Sequence, residues 1–180
     1  RSMSGVTGTG RAERVDGAAP GLGGQHGGGL FAVVREGRST RLLAPTYEMQ
    51  QDGGAMVGRT MYLFRTLYDG SDDILVNVPD PRAGTDVYRV NTESGRKSLE
   101  SIGKPGNVVR WVADADGNLR GAVTDEKSLI TRSWWRPPGS DAWGLIGKSG
   151  LRDSQTLPNA FDGAGGLIVA GNVGRDTFAL

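Results

Sequence analysis

Three Asp-Gly pairs, Asp69-Gly70, Asp116-Gly117 and Asp162-Gly163, stand 47 and 46 residues apart. Each lies between two short apolar runs, and Asp-Gly favours a tight hairpin because both residues tolerate positive φ. A second marker keeps nearly the same step: Tyr88, Trp134 and Phe178 are separated by 46 and 44 residues. Two markers agreeing on about 45 residues predict a repeated four-stranded unit, the length of one β-propeller blade. A unit of this kind cannot bury its apolar face alone, so neighbouring units must stack.

The strands can be read out within that frame. Thr60–Arg65, Asp73–Val78, Asp86–Val90 and Lys97–Leu99 make one unit, with a Ser94-Gly95 turn before the last strand. Val108–Val112, Leu119–Val123, Leu129–Trp135 and Trp143–Ile146 make the next, with a turn over Pro137–Ser140. Pro158–Phe161, Leu167–Ala170 and Thr177–Leu180 begin a third. Upstream, Leu30–Val34 and Arg41–Ala44 form a hairpin that supplies the last two strands of a preceding unit. No long segment shows the i, i+3, i+4, i+7 pattern of an amphipathic helix, and only the polar stretch Glu48–Gly58 leaves room for a helical turn. The expected fold is therefore all-β: a partial β-propeller of four-stranded antiparallel blades over residues 30–180, about three to four blades in all.

Residues 1–29 differ. They are glycine-rich, and Val6, Val15 and Leu22 are their larger aliphatics. So little apolar surface does not offset ordering entropy, and the segment is expected to be a flexible lead-in or loop with room for a short strand. The chain starts at Arg1 without an apolar leader, so it reads as a piece of a longer chain with no signal peptide in it. Propellers close with about four or more blades. A shorter segment should leave strand edges open to pair with neighbouring chains.

Composition narrows the function classes. The 30 glycines among 180 residues exceed the usual ~7% and fit many tight turns. Twenty-one basic and 20 acidic residues leave a net charge of +1 with no basic block, so neither nucleic acid nor an anionic membrane is an implied partner. Apolar runs as short as Leu167–Ala170 are far below the ~20 residues of a membrane-spanning helix. Without cysteine there is no disulfide, thiolate metal site or cysteine nucleophile, and the compartment stays open.

The motifs that suggest chemistry are each incomplete. A serine triad needs an oriented imidazole, and His26, the one histidine, sits in a Gly27-Gly28-Gly29 tract. Ser149, in Gly147-Lys148-Ser149-Gly150, lacks the nucleophile-elbow spacing and is read as part of a linker between blades. Gly8-Thr9-Gly10 and Gly21-Leu22-Gly23-Gly24 lack the strand and helix of a phosphate loop. Asp114-Ala115-Asp116-Gly117-Asn118 spaces oxygen ligands as a calcium loop does. Its sixth position, however, is Leu119 where glycine is needed, and its twelfth is Asp125 where glutamate is usual, which favours a hairpin turn. Asp72-Asp73 and Asp125-Glu126 read as solvated turn acids. Trp134 and Trp135 should face opposite sides of a strand, and pairing across Pro137–Ser140 would put Trp143 opposite Trp134. These readings assign no catalytic residue, no metal ligand and no cofactor to the chain.

The run Asp72–Val76 followed by Asp86–Arg96 resembles blades of the N-terminal propeller of prolyl oligopeptidase-family serine peptidases, bacterial dipeptidyl or acylaminoacyl peptidase-like members in particular. Val109–Arg120 resembles the next blade, and Gly174–Leu180 a strand further on. The resemblance covers about residues 30–180. It implies a propeller that caps an α/β-hydrolase catalytic domain of the same parent chain and gates the entry of peptide substrates. The catalytic serine, aspartate and histidine of such a protein lie C-terminal to its propeller, so no position here inherits their role. The alternative is a stand-alone propeller, TolB-like, that binds or scaffolds without an enzyme attached.

Overall fold

The computed structural model describes residues 6–7, 29–33, 40–45, 48–52, 55–126, 129–150 and 152–180. Every regular element among them is a β-strand. In chain order these are β1 (Val6–Thr7), β2 (Gly29–Val33), β3 (Thr40–Pro45), β4 (Glu48–Asp52), β5 (Ala55–Arg59), β6 (Tyr62–Thr66), β7 (Asp73–Asp80) and β8 (Gly84–Asn91). They continue with β9 (Lys97–Leu99), β10 (Val108–Ala113), β11 (Leu119–Glu126), β12 (Ile130–Trp135), β13 (Gly144–Ser149), β14 (Thr156–Phe161) and β15 (Leu167–Gly171). The chain is all-β, and none of its sheets closes on itself among the described residues.

Strand order follows sequence order. β6, β7, β8 and β9 pair in succession, and so do β10, β11, β12 and β13. These are two successive four-stranded meanders. A single parallel pair, Gly84 with Val108, joins the start of β8 to the start of β10. β14 and β15 form the next hairpin, to which Ala179 pairs back at Gly171.

By contacts the chain divides into two compact units, residues 1–66, 71–78 and 88–98 in one, and residues 67–70, 79–87 and 99–180 in the other. In the first, Leu30 and Ala32 of β2 and Leu43 and Ala44 of β3 cluster with Ile74 and Val76 of β7 and Val90 of β8. Residues two apart on a strand share a face, so this core lies between two sheet faces. Leu75 is as buried as its neighbours Ile74 and Val76, which means β7 is covered on both faces. In the second unit the β14–β15 hairpin packs on β10–β13. The approach is close: a Cβ on Gly121 of β11 would lie 3.0 Å from Cβ of Pro158.

The turns define the repeat better than the strands do. The turn between the first and second strands carries one left-handed glycine each time, Gly70, Gly117 and Gly165, with φ of 84°, 85° and 85° and separations of 47 and 48 residues. The Asp-Gly markers drift from this in the third unit. Gly163 has an ordinary φ, and Asp162 occupies the place of Asp114, not that of Asp116. The turn between the second and third strands carries Gly84, Leu129 and Gly174, each 45 residues from the next, with φ of 75°, 58° and 69°.

The helical turn expected within Glu48–Gly58 is not formed. β4 and β5 pair antiparallel from Glu48↔Arg59 to Asp52↔Ala55. The Gly53-Gly54 pair that the sequence places between them is a two-residue hairpin signal, and it outweighs the stretch's polarity. Of residues 1–29, β1 pairs with β2 through Val6↔Ala32 and Thr7↔Phe31. The remainder, apart from Gly29, lies outside the described residues.

Candidate functional site

The Asp114 turn, the nearest thing to a calcium loop in the sequence, spends its carboxylate internally. Asp114 Oδ1 accepts the backbone N–H groups of Asp116 and Asn118 at 3.1 and 2.8 Å. Oδ2 accepts the Asn118 side-chain amide at 3.1 Å and a charge-assisted bond from Nε of Arg120. Burial pushes this carboxyl's pKa up, but the hydrogen bonds from Arg120 and Asn118 outweigh burial and hold it below its ordinary value. Asp162 does the same work one repeat later, accepting from the N–H groups of Ala164 and Gly166 at 2.9 and 2.7 Å. Both are hairpin-turn aspartates. No group of three or more His, Asp or Glu side chains converges on a metal position among the described residues.

Ser149 is not in a linker. It is the last residue of β13, buried, and paired with Thr131 of β12. The fourth strand runs later than the sequence suggests, over Gly144–Ser149, because the loop after β12 extends to Trp143; further along, a register shift leaves Ile146 of β13 unpaired opposite the Ser133–Trp134 step. His26 and the glycine tracts at 8–10 and 21–24 lie outside the described residues.

The longer loop changes the tryptophan pairing. Trp134 stands opposite Leu145 and Trp135 opposite Gly144, so Trp143 precedes the strand and is not the partner of Trp134. Trp143 instead packs on Trp111 with centroids 5.8 Å apart, and the Arg136 guanidinium lies 4.8 Å over its ring. Its indole N–H donates to the carbonyl of Gly103 at 3.1 Å, and that of Trp111 to the carbonyl of Thr85 at 2.8 Å. Burial lowers the Arg136 pKa, Asp141 opposes this and Arg120 adds to it; a guanidinium stays charged throughout. The stack ties the β12–β13 turn to β10, so it is an element of packing.

Trp134 leads elsewhere. It lines a recess of about 340 Å3 with Pro105, Gly106, Asn107, Thr124, Asp125, Glu126 and Arg132. Pro105–Asn107 lead into β10 and form one wall. Thr124 and Glu126 alternate at the end of β11, Arg132 and Trp134 alternate on β12, and Thr124 is directly opposite Arg132. All four therefore share one face of the hairpin. The Trp134 indole N–H donates to Thr124 Oγ1 at 2.9 Å. Arg132 pairs with Glu126 at 2.6 Å through one terminal nitrogen. Its Nε is buried with no hydrogen-bond partner among the described residues. Asp125 points to the other face, where its carboxylate accepts the Thr131 hydroxyl at 3.1 Å. The sequence leads one to expect solvated turn acids at Asp125-Glu126. Both are exposed, but Glu126 is also half of this ion pair.

The chain is strained just before β12. Leu129 closes on Glu126 through its N–H and holds φ of 58°, the one described non-glycine residue at positive φ. Chemically the recess offers hydrogen-bond donors, an aromatic wall and one internally balanced charge pair. It has no nucleophile with an adjacent base.

No family model matches the chain, and no solved structure matches it. A curated relative, the metallopeptidase AprA of Pseudomonas marginalis, is 30% identical over 95 residues. That stretch is 51% of this chain and 19% of the relative, so the match spans about a fifth of that protein's length.

Proposed function

We propose that this chain is a non-catalytic β-propeller segment that handles peptides for a catalytic domain of the same parent protein. The observation that carries the blade reading is the recurrence of left-handed turns in two successive four-stranded meanders and the hairpin that follows them, at Gly70, Gly117 and Gly165 and again at Gly84, Leu129 and Gly174. A step of 45 to 48 residues is that of propeller blades. Peptide handling is supported by what two otherwise unlike similarities share. The sequence resembles propellers of serine peptidases, and the relative at 30% identity is named a metallopeptidase. The catalytic classes differ, while the substrate class is common to both. The finer assignment, a cap that gates an α/β-hydrolase domain of the prolyl oligopeptidase family, rests on the sequence resemblance. Self-association through open strand edges belongs to the same proposal.

A stand-alone binding module is the second reading. It is favoured by the recess, whose whole lining comes from one compact unit. The purified chain, assayed on peptidyl-nitroanilides, is expected to show no turnover. Robust turnover that co-purifies with the chain would overturn the non-catalytic reading in both forms.

A further inference from the structure

The recess on the β11–β12 hairpin has a chemistry that selects among ligands. We infer that it holds the carbonyl of an uncharged peptide group, with the adjoining apolar side chain laid against Trp134. The inference deepens the peptide-handling proposal and rests on it.

Four features carry it. Arg132 Nε is a buried N–H donor with no partner among the described residues, and a buried donor left unmade is unfavourable. Thr124 Oγ1 accepts the Trp134 indole N–H, and its hydroxyl keeps a proton and a second lone pair to offer. The lining thus holds two buried groups with a proton to donate, Arg132 Nε and the Thr124 hydroxyl, and an acceptor as slender as a carbonyl oxygen suits them. Glu126 sits 2.6 Å from the Arg132 guanidinium and balances its charge. A ligand carboxylate would meet Glu126 as a like charge, whereas an amide carbonyl would not. Trp134, with its N–H fixed on Thr124, and Pro105 supply apolar surface. A volume of about 340 Å3 suits a blocked amino acid or short peptide stretch.

The test is an NMR titration of the 15N-labelled chain, following the Arg132 Nε–H and Trp134 Nε1–H resonances. The probes are N-acetyl-leucine amide, N-acetyl-leucine and leucine amide. The uncharged probe is expected to move both resonances and to bind about fivefold or more tightly than N-acetyl-leucine, the margin of one unfavourable charge contact. Arg132→Lys keeps the positive charge beside Glu126 but removes Nε, and it should weaken the uncharged probe about tenfold. Shifts confined to other residues, or equal binding of the carboxylate probe, would overturn the recess assignment and leave peptide handling standing. No shift anywhere, with longer blocked peptides included, would overturn both.

Discussion

Gly84 and Leu129 occupy the same place in successive repeats, 45 residues apart and both left-handed, yet only one is glycine. The surroundings explain the difference. A Cβ on Gly84 would lie 2.5 Å from the backbone nitrogen of Val108, where the β8 and β10 starts pair, so that position admits no side chain. The Leu129 side chain is exposed and has only its own backbone conformation to contend with. Repeated backbone geometry thus fixes φ at both positions, while local packing decides whether glycine is obligatory. Where packing relaxes, the chain tolerates strain, and it does so just before β12.

The largest expected effect comes from forcing Gly84 to behave like Leu129. Gly84→Ala adds a backbone clash to an unfavourable φ and should cost roughly 2–4 kcal/mol in urea unfolding. A loss under about 0.5 kcal/mol would mean that the close approach to Val108 is not maintained.

A middling effect is expected at Asp114, whose turn recurs at Asp162. Asp114→Asn should cost roughly 1–2 kcal/mol at neutral pH through the charge-assisted bond from Arg120. Because the folded carboxyl titrates below its unfolded value, its contribution is complete above the ordinary range near ~3.9 and is lost as pH falls through the lower, folded value. The gap between wild type and variant in a pH series of unfolding curves should therefore close toward acid. A gap that widened toward acid would contradict the assignment.

The smallest effect is expected from making Leu129 resemble Gly84. Leu129→Gly relieves the left-handed strain while adding unfolded-state entropy, and it should leave stability unchanged or raise it by up to about 1 kcal/mol. A clear loss by thermal unfolding would show that the leucine side chain is part of the core.

Much of this was legible from residues alone. The runs Asp73–Val78, Leu119–Val123 and Leu167–Ala170 became strands because short apolar stretches bounded by glycine turns have few other solutions. The β4–β5 hairpin was missed because its residues are largely polar, although Gly53-Gly54 was the available signal. The position of Trp143 was missed because the loop after β12 runs from Arg136 to Trp143, longer than the Pro137–Ser140 turn alone, and loop length sets the register of the strands it joins. The third turn was misaligned by two residues because Asp-Gly was matched as a pair. The aspartate that caps and the glycine at positive φ are three apart, Asp114 with Gly117 and Asp162 with Gly165. The recess could not be read at all. Its walls come from residues 105–107, 124–126, 132 and 134, and only strand pairing brings Thr124 opposite Arg132. The one trace in the sequence was the change along β11 from apolar Ala122-Val123 to polar Thr124–Glu126.

The claim on which the rest depends is that one turn geometry repeats along the chain, and the third turn tests it most directly. The measurement is the difference in unfolding free energy between Gly165→Ala and Gly163→Ala. Gly165 carries φ of 85° in the repeated place, whereas Gly163 has an ordinary φ and open space around it. The account predicts that Gly165→Ala is the less stable by about 1 kcal/mol, with Gly163→Ala within about 0.5 kcal/mol of wild type. Equal costs, or a greater cost at Gly163, would contradict it.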